Sequence, residues 1–133
     1  MKKLILIFLF LAIYNSIKAQ SIPSKKQEIL ENIEKVFKSS YSFEGIKILS
    51  LSLEGDILNI SLDNDELVKK DLSKSESIVI NKMSPGYIIH YSSNIFDSLL
   101  WAIQSEEDAQ QLKKELQHLI EILKIENAET SED

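Results

Sequence analysis

Two histidines, one run of acidic residues and a wealth of serines have the most direct claim on chemistry in this 133-residue chain. His90 stands in Ile88-Ile89-His90-Tyr91, and an imidazole titrating near neutrality could serve as a general base. Strand alternation sets it with Ile88 and Ser92, opposite Tyr87, Ile89 and Tyr91, so a half-exposed strand histidine is the plainer reading. His118 falls on the polar side of the C-terminal helical segment near Lys114 and Glu121, where solvation is expected. The two histidines lie in different elements, and no His-x3-His or His-Glu pattern accompanies either. A zinc site is therefore not expected. Asp63-Asn64-Asp65-Glu66 offers oxygens to a calcium ion, but an EF-hand loop needs Gly at its sixth place and Glu at its twelfth. Val68 and Lys74 stand there, and the run reads as a solvated acidic turn.

Other reaction signatures are missing from the sequence. No Gly-x-Ser-x-Gly elbow occurs, and Gly45, Gly55 and Gly86 make neither a phosphate-cradling loop nor a dinucleotide fingerprint. Cysteine is absent, which removes thiolate nucleophiles, thiolate metal sites, disulfides and lipidated cysteine. Any of the 21 acids could be nominated for a carboxylate pair, so none is singled out. No catalytic residue, cofactor or metal ligand is assigned. The aromatic residues Tyr41, Phe43, Tyr87, Tyr91, Phe96 and Trp101 are the more telling set. On a one-sided sheet, the face away from the helices would show Tyr87 and Tyr91 as a contact patch; placement in the core is the plainer reading.

The elements that must position these residues begin after a leader. Met1-Lys2-Lys3 is basic, Leu4 to Tyr14 is apolar, and Asn15 to Gln20 is polar with a small residue at Ala19. This is the layout of a secretory signal peptide, with an apolar run too short to span a bilayer. Residues 1–19 are expected to be removed, which takes Lys2, Lys3 and Lys18 and no acid. All 15 basic residues are lysines, so the mature chain carries 12 against 21 acids, a charge of -9. That balance disfavours nucleic acid and anionic lipid. It fits an exported protein of the periplasm or the medium, with no membrane insertion after the leader is gone. Residues 20–126 then read as one domain and 127–133 as an acidic flexible tail.

Ser24 and Gln27 form a capping box, and Ile29, Leu30, Ile33, Val36 and Phe37 recur at helical spacing, predicting a helix over about 25–38. Leu49, Leu51 and Leu53 alternate with serines, as do Leu58, Ile60 and Leu62 with Asn59 and Ser61. A two-residue turn at Gly55-Asp56, of type II′, would set Leu53 opposite Leu58, Leu51 opposite Ile60 and Leu49 opposite Leu62. Ile46 and Ile48 are out of phase with Leu49, so a bulge is expected near Ile48–Leu49. Asp63 to Ser77 reads as a loop, with room for a strand extension or one helical turn. Ile78 to Asn81 and Tyr87 to Ser92 pair as a second hairpin through Ser84-Pro85-Gly86, and Leu99 to Gln104 is a further strand. Ser105 caps a closing helix to about Ile125, buried along Ala109, Leu112, Leu116, Leu119, Ile120 and Leu123.

The predicted class is α+β: an antiparallel sheet of four or five strands in hairpins, with one N-terminal and one long C-terminal helix packed on it. The stretch from Leu99-Leu100-Trp101-Ala102-Ile103-Gln104 through Ser105-Glu106-Glu107-Asp108-Ala109 into Leu112, Leu116 and Leu119 resembles the end of pleckstrin-homology-like domains. There a last strand passes through an acidic turn into a helix that plugs the sheet. The resemblance spans about residues 43–125 and implies a fold of seven strands. Lipid-binding members of that superfold carry basic residues at the first hairpin turn; Glu54-Gly55-Asp56 is acidic, so no phosphoinositide binding is carried over. The expectation is a small exported non-enzymatic protein that binds a protein or other envelope macromolecule. A small hydrolase using carboxylates and a carrier of a small apolar ligand are the alternatives.

Overall fold

The computed structural model describes residues 25–131, so the expected leader, the Ser24 cap and the last two residues lie outside the described residues. Helix α1 (25–40) forms where the apolar stripe required it. Ile29, Leu30, Ile33 and Phe37 are buried and Val36 packs beside them. On its surface Glu34 and Lys38 stand 4.0 Å apart, and Glu31 accepts from the Gln27 amide at 3.2 Å.

Six antiparallel strands follow, in two three-stranded sheets, where four or five in one sheet were expected. The first sheet holds β1 (Ile48–Glu54), β2 (Ile57–Leu62) and β3 (Leu67–Asp71) in that order. Leu53 pairs with Leu58 and Leu51 with Ile60, as the alternation demanded, and Gly55 takes φ 62° in the turn between them. The bulge falls between Ile48 and Ser50. It sets Ile48 rather than Leu49 opposite Leu62, and Leu49 is turned to solvent.

Strand β3 is the element that reads as loop in the sequence. Its inward positions are Val68 and Lys70, followed by buried Leu72, and the lysine disguises the alternation. The Lys70 ammonium lies 5.2 Å from the centre of the Trp101 ring, so its aliphatic stem covers apolar surface while the charge rests on a π face.

The second sheet holds β4 (Ile78–Met83), β5 (Gly86–Tyr91) and β6 (Ser98–Ile103), with β5 central. Gly86 is required where β5 meets β6, because a Cβ there would lie 2.3 Å from the Ile103 carbonyl oxygen. Helix α2 (Glu106–Ser131) packs on β4, β5 and β6 and continues past Ile125, correcting the expected end. At its start the Ser105 hydroxyl accepts from the Asp108 amide at 3.2 Å, with Glu106, Glu107 and Asp108 at the positive end of the dipole.

One continuous core joins both helices and both sheets, with Leu112, Leu116 and Leu119 of α2 fully buried in it. Each such side chain contributes roughly 1.5–3 kcal/mol of transfer free energy. Polar contacts also tie separate elements together. Lys26 of α1 meets Glu126 of α2 at 3.0 Å, the Leu51 amide of edge strand β1 donates to Glu34 of α1 at 2.8 Å, and the Tyr91 hydroxyl of β5 donates to the Asp71 carbonyl of β3 at 2.7 Å.

Candidate functional site

The candidate contact patch does not form as a pair, and the core reading holds for Tyr91. Tyr91 is fully buried in the core and tied to Asp71, so it presents no surface. Tyr87 is half-buried, opposite Ile103, and packs against the same core. His90, expected to be half-exposed, is 3% exposed. The reason is its place on a central strand, where both ring nitrogens are engaged. Nδ1 lies 2.7 Å from the Tyr91 carbonyl, which can only accept, so Nδ1 carries the proton there; Nε2 lies 2.6 Å from the Asn81 amide nitrogen, which donates to it. His118 is exposed on α2, as expected.

The Asp63–Glu66 run makes a turn: the Glu66 amide donates to Asn64 Oδ1 at 3.1 Å and the Leu62 amide to the Glu66 carbonyl at 2.9 Å. Among the described residues no group of three or more His, Cys, Asp or Glu is placed to hold a metal ion.

A different set of side chains comes together on the second sheet. Strand β6 bulges where Trp101 and Ala102 together oppose Ile88, since Tyr87 pairs with Ile103 and Ile89 with Leu100. Ala102 takes φ 52°, a conformation that an alanine adopts only when its surroundings impose it. Bulges of this kind bend a strand and re-aim its side chains. Here the bend opens a groove of about 280 Å³ lined by Phe43, Met83, Ser84, Pro85, Ile88, Ile95, Phe96, Ser98, Trp101 and Ala102. Not one of these ten residues is ionisable, in a chain of which 27% is charged.

The walls are held by backbone and amide hydrogen bonds. Phe43 begins a tight turn in which Glu44 and Gly45 both have positive φ and the Ile46 amide donates to the Phe43 carbonyl at 3.0 Å. The Gln104 side-chain amide donates to the Ser42 and Ala102 carbonyls at 3.2 Å each and reaches the Pro85 carbonyl at 3.5 Å, linking the two rims.

Phe96 sits on a loop organised by Asn94. The Asn94 amide donates to the Tyr91 carbonyl at 3.1 Å, the Asp97 amide to the Asn94 carbonyl at 3.0 Å, and the Phe96 amide to Asn94 Oδ1 at 3.0 Å. The Lys74–Asp97 ion pair secures the loop from outside. This loop holds Phe96 in solvent at 87% exposure, with Met83 at 41% and Phe43 at 36% across the groove.

Behind the groove, the Trp101 ring stands edge-on to Phe37 and Tyr41, with ring centres 5.7 and 5.6 Å away. Burial pushes the Lys70 amine down and the Tyr41 phenol up from their ordinary values. Loss of water is the first cause in each; the hydrogen bond between Tyr41 and Trp101 pulls the phenol the other way, as the Asp97 charge does for Lys70.

The sequence marks Phe43, Phe96 and Trp101 as aromatic residues of interest, but gives no sign that they share a site. Met83 ends β4 and Pro85 belongs to the turn after it, and the Ala102 bulge has no compositional signature, because an alanine with positive φ looks like any other alanine. No protein-family model, curated protein or solved structure matches the chain.

Proposed function

We propose that this is an exported, non-enzymatic interaction module of the bacterial envelope, and that the uncharged groove between Phe43, Met83 and Phe96 is its contact surface. The observation that carries the reading is Phe96. A loop pinned by the Asn94, Phe96 and Asp97 amide hydrogen bonds keeps a phenylalanine 87% in water, beside a hollow without a single charge. Exposing such a side chain forgoes roughly 1.5–3 kcal/mol of burial, which a partner would recover.

Export rests on the tripartite composition of residues 1–19. An α+β frame with hairpins ahead of the Ser105-capped helix α2 supports a pleckstrin-homology-like arrangement, with six strands rather than seven. Fold likeness supplies no ligand, and the acidic turn at Glu54-Gly55-Asp56 keeps phosphoinositides out of the proposal.

The test is site-specific photo-cross-linking in cells exporting the full chain, with benzoyl-phenylalanine at position 96 and, as control, at Gln111 on the exposed side of α2. Discrete adducts from position 96 alone are expected. No adduct at 96, or the same pattern from 111, would remove the groove from the reading.

A further inference from the structure

We infer that the occupant of the groove is a second copy of this chain, with Phe96 of each copy seated in the groove of the other about a twofold axis. The inference rests on the groove being a contact surface and names its partner.

A twofold pair requires one patch to offer both halves of the fit. This patch does. Phe96 is the protruding group, at 87% exposure, and the hollow beside it, of about 280 Å³, is walled by Phe43, Met83 and Pro85 over Ile88 and Trp101. Each copy buries an exposed phenylalanine and fills a hollow in the same step.

Charge agrees with this arrangement. Two mature chains, with 12 lysines against 21 acids each, repel at a distance, yet no ionisable residue lines the groove, so the groove itself brings no like charges out of water. Pairing should therefore strengthen as salt screens the long-range repulsion. A basic partner steered by the acidic surface would show the opposite dependence.

Size sets the strength. Ten lining residues a side is about a third to a half of what a standard interface uses. The pair is therefore weak and concentration-dependent, in the micromolar range or above.

Sedimentation velocity on the purified chain, over roughly two decades of concentration from the low micromolar, reads this directly. A monomer that gives way to a dimer as concentration rises, and more so in high salt, is expected. Phe96→Ser should weaken pairing by at least about tenfold while its far-ultraviolet circular dichroism stays that of the parent. The chain contains no cysteine, so mixing a Met83→Cys chain with an Ile95→Cys chain, which keeps Phe96, should also trap a disulfide-linked heterodimer on mild oxidation. A Gln111→Cys chain in place of either should not.

A chain that stays monomeric at sub-millimolar concentration, or a Phe96→Ser variant that pairs as well as the parent, overturns the inference. If position 96 nevertheless cross-links in cells to a different protein, the self-pairing fails and the groove reading stands. If it cross-links to nothing, both fail.

Discussion

The Tyr91 hydroxyl donates to the Asp71 carbonyl oxygen at 2.7 Å, tying the end of β5 in one sheet to the end of β3 in the other. Tyr91→Phe keeps the ring and removes the bond. It should cost about 1 kcal/mol, with the denaturant midpoint lowered and the slope unchanged. The same phenol is pushed up to about 12, first by burial and then by the Asp71 charge. Unfolded tyrosine ionises near 10, so above about pH 10 the unfolded state loses a proton that the folded state keeps. The contribution is complete below that pH and declines as pH rises towards 12. Stability measured at increasing alkaline pH should therefore fall faster for the parent than for Tyr91→Phe, and the gap between them should close.

Gly86 stands where a Cβ would meet the Ile103 carbonyl oxygen at 2.3 Å. Backbone cannot swing aside as a side chain can. Gly86→Ala should thus destabilise by about 1–3 kcal/mol, as overpacking does, and thermal unfolding would show it. It should also disturb the rim at Pro85, which shares Gln104 with β6.

Glu34 covers an exposed strand edge by accepting from the Leu51 amide at 2.8 Å. Glu34→Leu should lose about 2 kcal/mol and leave β1 open to edge pairing, seen as aggregation on mild heating. Glu34→Gln retains an acceptor oxygen and should recover most of the loss.

Leu116 is fully buried where α2 closes the core. Leu116→Ala should cost about 2–5 kcal/mol in chemical denaturation. An unchanged midpoint would mean that α2 does not cover the sheet.

Much of this frame was legible because burial imposes periodicity. The Leu51–Ile60 register, the bulge at Ile48–Leu49 and the α2 stripe all follow from which residues must avoid water. Strand β3 escaped because Lys70 takes an inward place by laying its stem along Trp101, a tertiary contact that residue type does not announce. His90 escaped for a related reason: a polar tip on a strand reads as surface until a partner such as Asn81 appears beside it. The groove was the least legible feature. It depends on a bulge at Ala102, on Gln104 bridging three carbonyls, and on residues far apart in sequence.

The central claim is that the groove receives an uncharged apolar side chain. Methionine occurs only at positions 1 and 83, so the methyl resonance of Met83 reports on the groove without ambiguity once Met1 is assigned. Titrating N-acetyl-phenylalaninamide, an uncharged single-side-chain probe, into the full chain at low protein concentration should shift the Met83 methyl and the Trp101 indole resonances together, in a saturable manner. Two unmoved resonances, or shifts spread equally over α2, would contradict the account.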